Sequence, residues 1–129
     1  MSYININVNP KNLYTGDCVI RAIALATDKS WYETYIELVI QGLIDCDIPS
    51  SNAVWADYLT SKGYTRHFIP DTCPNCYTVR DFSNDYPEGA YIVGTGTHAI
   101  AVIDGDHYDT WDSGDEHPIY YFVKESEEL

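Results

Sequence analysis

Thr15-Gly16-Asp17-Cys18-Val19-Ile20-Arg21-Ala22-Ile23-Ala24 sets one cysteine directly behind a turn signal and at the head of an apolar periodicity. Gly16 and Asp17 are turn and N-cap residue types, and Val19, Ile20, Ile23, Ala24 and Ala26 follow at helical spacing. The stretch predicts a helix from about Asp17 to Thr27 with Cys18 in its first turn. The free N–H groups of a first turn carry partial positive charge, which favours thiolate over thiol. The same groups can stabilise an oxyanion forming beside the sulfur.

Outward from this helix, the pattern changes on both sides. Upstream, Ile4, Ile6 and Val8 alternate with Asn5, Asn7 and Asn9, so residues 1–9 read as a short strand or arm stopped by Pro10. Downstream, Ser30 and Glu33 form a capping-box pair ahead of a second helix, Trp31 to Gly42. A third helix, Ala53 to Lys62, ends at Gly63. Beyond Gly63 the period shortens to that of strands: Tyr64 to Ile69, Ala90 to Gly94, Thr97 to Asp104, His107 to Trp111 and Ile119 to Val123, with a short helix or turn at Thr78 to Ser83. Helices first and strands second predict an α+β class: N-terminal helices packed on a C-terminal antiparallel β-sheet, in a single domain over residues 1–129. Residues 124–129 read as a frayed acidic tail.

Bulk composition narrows the function. With 129 residues the chain holds one core, and a formal charge of −13, from 20 acidic against 7 basic residues, leaves no basic stripe. Nucleic acid is excluded as a partner because phosphate contacts need clustered Lys and Arg. An anionic membrane surface is disfavoured for the same reason, and no apolar run approaches the ~20 residues of a membrane helix. The N-terminal residues lack a charged n-region and an apolar h-region, so a cytoplasmic protein is expected, with Cys18, Cys46, Cys73 and Cys76 all reduced.

Two later segments give Cys18 company. Gly96-Thr97-His98-Ala99-Ile100-Ala101-Val102-Ile103-Asp104-Gly105 presents a histidine at the head of a strand, and Tyr108-Asp109-Thr110-Trp111-Asp112 places carboxylates on the next one. Thiol catalysis needs a nucleophile, a base that takes and returns its proton, and a group that orients the base. Reading Gly105-Asp106 as the hairpin turn sets His98 opposite Ser113, which makes Asp112 the nearer carboxylate and turns Asp109 away.

These motifs resemble those of papain-like cysteine peptidases, in the compact form found among phage and bacterial proteins. The resemblance spans about Asn9 to Val123 and rests on the order Cys, His, Asp, with the cysteine on a helix and its partners on strands. It implies Cys18 as nucleophile, His98 as general base and acid, and Asp112 as the orienting residue. It also implies a peptide or protein substrate, cleaved at a peptide, isopeptide or amide bond through an acyl-enzyme, without a cofactor. The family often carries a glutamine before the cysteine to complete the oxyanion hole. Here none is present, and Asn12 is the nearest amide, equally readable as a turn residue. A second reading keeps the fold and drops the chemistry, leaving a catalytically silent protein-binding module.

Cys73-Pro74-Asn75-Cys76 has the spacing of half a zinc site, but it sits in a loop without a second cysteine pair. The sequence reads it as a plain loop, with Cys73 and Cys76 as alternative metal ligands. His67, His107 and His117 read as surface residues, and Trp31, Tyr32 and Tyr35 as helix packing.

Overall fold

In the computed structural model, which describes residues 2–124, the first helix, α1, runs Cys18–Thr27, with Asp17 at its N-cap. Its buried face is Val19, Arg21, Ala22, Ile23 and Ala24, so the apolar periodicity is used as expected, with one arginine among it. The helix stops at Asp28, whose φ of 55° is left-handed and returns its N–H to the last turn. Helix α2, Trp31–Asp45, begins where Ser30 Oγ accepts the Glu33 N–H at 3.0 Å. It continues past the expected stop at Gly42 to a left-handed Cys46, because Gly42 lets the chain fold back closely: a Cβ there would lie 2.8 Å from the Asp47 carbonyl oxygen. Helix α3 covers Asn52–Ser61.

The strands are β1 (Tyr3–Asn5), β2 (Tyr64–Phe68), β3 (Ala90–Gly94), β4 (Ala99–Ile103), β5 (Asp106–Asp109) and β6 (Tyr120–Lys124), and a fourth helix, α4, spans Val79–Asp85. They form one sheet in the order β1-β5-β4-β3-β6-β2. The sheet is mixed, which corrects the expectation of a purely antiparallel, C-terminal one. β1 comes from the N-terminal arm and pairs with β5 in parallel, Tyr3 against His107 and Asn5 against Asp109. Every other pairing is antiparallel.

Both faces of the sheet are covered. Ala99 and Ala101 of β4, with Ile92, Tyr120 and Phe122, share a core with Val19, Ala22 and Ile23 of α1 and with Leu38, Trp55, Tyr58 and Leu59 of α2 and α3. Ile100, Val102 and Val93 point the other way and pack with Val79 and Phe82 of α4. That is why β4 reads as an unbroken apolar run: alternate residues are buried on opposite faces. The alanines face α1, and small side chains there let the helix lie close to the strand, which brings its N-terminus beside the start of β4.

The β4–β5 turn differs from its expected position by one residue. Asp104 and Gly105 carry φ of 50° and 84°, two consecutive positive values, as a type I′ hairpin demands. Ile103 therefore pairs with Asp106, Val102 with His107 and Ala101 with Tyr108. No helix among the described residues is long and apolar enough to cross a membrane.

Candidate active site

Cys18 opens α1, and the side chain of Asp17 leaves the first-turn N–H groups uncapped. Asp17 is instead consumed by three donors: Arg21 Nε at 2.9 Å, Trp31 Nε1 at 3.0 Å and Asn9 Nδ2 at 3.1 Å. The positive end of the helix thus stays directed at the thiol. His98 lies one residue ahead of β4, where the chain leaves the sheet, and its side chain reaches Cys18 across that open end.

The carboxylate behind His98 is Asp109, not Asp112. His98 Nε2 stands 2.6 Å from Asp109 Oδ2, which leaves Nδ1 for the cysteine. Asp112 belongs to another pair: its Oδ1 stands 2.9 Å from His107 Nε2 and accepts the Gly114 N–H at 3.0 Å. The correction follows from the turn. With Ala101 opposite Tyr108, the next pair in register is Ile100 and Asp109, so Asp109 lies diagonal to His98, whereas β5 has ended before Asp112. His107, expected at the surface, is fully buried.

Asp109 is held on all sides. Besides His98, it accepts from Ser113 Oγ at 2.7 Å, from the Thr110 N–H at 2.8 Å and from Arg21 at 3.2 Å. Arg21 therefore bridges Asp17 and Asp109, tying the helix that carries the thiol to the strand that carries the carboxylate. Neither Arg21, Ser113, Asn9 nor Trp31 was singled out from sequence as part of this cluster. Arg21 carried the one usable signal, being a charge on an otherwise apolar helix face, three positions from the cysteine. Trp111 lies against His98 with ring centroids 5.1 Å apart.

Electrostatics separate the charges. Burial works to raise the Cys18 pKa, but hydrogen bonds from His98 and the Ala99 N–H, with the nearby His98 and Arg21 charges, bring it below its ordinary value. For His98 burial pulls downward, and the Asp109 and Cys18 contacts more than reverse it, lifting the imidazole to about 9. Burial likewise works to raise Asp109, and the bonds from His98 and Ser113 overcome it and keep the carboxylate ionised. All three shifts favour a thiolate–imidazolium pair backed by a carboxylate at neutral pH.

A cleft of about 420 Å³ opens onto this group, lined by Tyr14, Thr15, Gly16, Asp17, Cys18, Arg21, Thr97, His98, Thr110 and Trp111. Asn12 lies outside it. Its left-handed φ of 55° and its N–H on the Asn9 carbonyl at 2.9 Å make it a turn residue. Cys73 and Cys76, read from sequence as reduced loop cysteines, are joined by a disulfide. Cys18 and Cys46 are the free cysteines among the described residues. No protein-family model matches the chain, and neither the curated proteins nor the solved structures compared with it yield a match.

Proposed function

We propose that the protein is a cysteine hydrolase of papain-like arrangement, cleaving a peptide, isopeptide or other amide bond of a peptide or protein substrate. The observation that carries this reading is the continuous chain Cys18–His98–Asp109, with an ionised carboxylate at one end and an open cleft at the other. The Cys18 thiolate attacks the scissile carbonyl, and negative charge develops on its oxygen within reach of the first-turn N–H groups of α1. As the tetrahedral adduct collapses, His98 gives its proton to the leaving amine and a thioester to Cys18 remains. His98 then takes a proton from water, the hydroxide attacks the thioester, and the acid product departs as the thiolate returns. Asp109 holds the ring through Nε2 and balances the imidazolium, and Arg21 holds Asp109. No step calls for a metal, and a reducing compartment such as the cytoplasm keeps the Cys18 thiol available.

Iodoacetamide tests this reading. Well below pH 8, Cys18 is labelled stoichiometrically while exposed Cys46 reacts slowly, and an activated ester gives a burst with one acyl group on Cys18 by intact mass. Loss of both in His98→Ala supports the reading. Equal labelling in the two proteins sinks it. The second reading, a silent binding module of the same fold, is favoured by one observation: the described cleft lining contains no Asn or Gln to assist an oxyanion. Labelling without an acyl burst is its signature.

A further inference from the structure

We propose that Cys73, Cys76 and His117 form a zinc-class metal site that the Cys73–Cys76 disulfide closes and reduction opens. Among the described residues, these three present their ligand atoms within 4.8 Å of one another. The histidine comes from a segment far along the chain, and the sequence reads it only as a surface residue. Two thiolates and one imidazole are the ligand types that borderline-soft zinc selects, at bonds of about 2.3 and 2.0 Å. A tetrahedron of those bonds puts ligand atoms roughly 3.3–3.8 Å apart. The imidazole therefore needs to close by only about 1 Å, while the sulfurs move apart within a four-residue loop.

That loop is shaped by bonds that do not involve sulfur side chains. Asp71 Oδ1 accepts the Cys73 N–H at 3.0 Å, and Thr72 Oγ1 accepts the Tyr77 N–H at 3.1 Å while donating to the Asn75 carbonyl at 2.7 Å. The chain around His117 is pinned to both flanks of the cysteine loop. The Ile69 N–H donates to the Ile119 carbonyl at 2.9 Å, and the Val79 N–H donates to the Glu116 carbonyl at 2.9 Å. Opening the disulfide therefore leaves the three ligands gathered. Cys73 and His117 are exposed and Cys76 half-buried, so the fourth position faces solvent and takes a water. Dithiol exchange chemistry fits this place less well. The helix that follows begins three residues after Cys76, and its N-terminus is already capped by Thr78 and Asp81, so its dipole does not serve either sulfur.

The redox step balances with a thiol reductant. Two equivalents of small thiol reduce the disulfide to two cysteine thiols and leave as their own disulfide. Zinc binding then displaces both thiol protons to solvent.

The test uses the full chain carrying Cys18→Ala and Cys46→Ala, so that only this cluster offers thiolates and the catalytic reading plays no part. Titration of the reduced protein with cobalt(II), followed by zinc displacement, reads both coordination and stoichiometry. One equivalent with a tetrahedral cobalt–thiolate spectrum is expected, and no such spectrum in the oxidised protein. His117→Ala, a surface change, should weaken zinc binding by about tenfold or more. His117→Gln, which keeps the side chain's bulk and polarity, should fail alike. A reduced chain that binds no metal overturns the proposal. So does binding indifferent to His117, or binding that persists in the oxidised protein.

Discussion

Two histidine–aspartate pairs flank one hairpin, and only one of them meets a thiol. His98 with Asp109 and His107 with Asp112 differ little in contact distance, 2.6 against 2.9 Å. Their surroundings are inverted. Asp109 is buried and its imidazole opens toward a cleft, whereas the Asp112 side chain is 47% exposed and its imidazole is sealed in. The Nδ1 of His107, the nitrogen turned away from Asp112, is buried without a hydrogen-bond partner, so no reactive group stands on that side of the ring. A histidine–carboxylate contact is thus a common structural unit. On the proposed reading it becomes chemistry only where the far nitrogen meets a reactive group and the carboxylate is shielded from water.

The sharpest way to break this contrast is to delete each imidazole in turn. His98→Ala should return the Cys18 thiol toward the ordinary range near 8.5, lowering its iodoacetamide rate at pH 6 by about a hundredfold. His107→Ala should leave that rate within about twofold but cost roughly 2–4 kcal/mol of stability in chemical denaturation, through the cavity left by a fully buried ring. If His107→Ala silences Cys18 in a protein that is still folded, the division between the pairs is false.

The pH profile of the proposed hydrolysis bears on the same point. The thiolate exists above the lowered Cys18 pKa and is lost as pH falls through it. The imidazolium exists below about 9 and is lost as pH rises through that value. Activity should therefore hold a plateau that begins below the ordinary thiol range and falls above pH 9. A profile with a single rising limb centred near pH 8.5 would show that no ion pair forms.

A step smaller, the carboxylates can be exchanged for amides. Asp109→Asn keeps shape but removes the charge behind His98, and a loss of about tenfold in Cys18 alkylation at pH 6 is expected. Arg21 loses part of its buried charge balance in the same change, so a fall in thermal stability should accompany it. Asp112→Asn, at an exposed carboxylate, should change the alkylation rate by less than about twofold. Comparable losses from the two variants would return Asp112 to the site.

How the sequence misassigned this carboxylate is a matter of one residue in a turn. Periodicity was enough to locate α1 beginning at Cys18, β3 at Ala90–Gly94 and His98 at the head of β4, because burial on a helix face or strand is written directly into apolar spacing. The pairing of β4 with β5 is not written there. Asp104-Gly105 and Gly105-Asp106 are both plausible turn dipeptides, and shifting the turn by one residue moves every cross-strand partner by two. That displacement put His98 opposite Ser113 and drew attention to Asp112. Strand length added to the error, since β5 ends at Asp109 and face alternation has no meaning for the loop beyond it. The parallel placement of β1 and the Arg21 bridge were illegible for a related reason. Both are long-range contacts, made by residues that a short strand or a helix surface would equally explain.

The smallest effect belongs to Trp111, whose indole lies against the His98 ring, tilted by 33°, and is itself about half exposed. An aromatic face beside an imidazolium attracts the charged form and keeps water from one side of it. Aromatic contacts of this kind contribute about 0.5–1.5 kcal/mol beyond burial, which sets the expected loss in Cys18 alkylation for Trp111→Ala at about threefold. The alkaline limb of the hydrolysis profile should also move down from about 9, since the protonated ring loses support. Trp111→Phe retains a π face and should recover most of both. If phenylalanine does no better than alanine, the indole acts through bulk or through substrate contact in the cleft, and the limb will not have moved. His107 is buried outright and has its own aromatic neighbour, Tyr3, with ring centroids 5.4 Å apart, so no change at Trp111 should reach it.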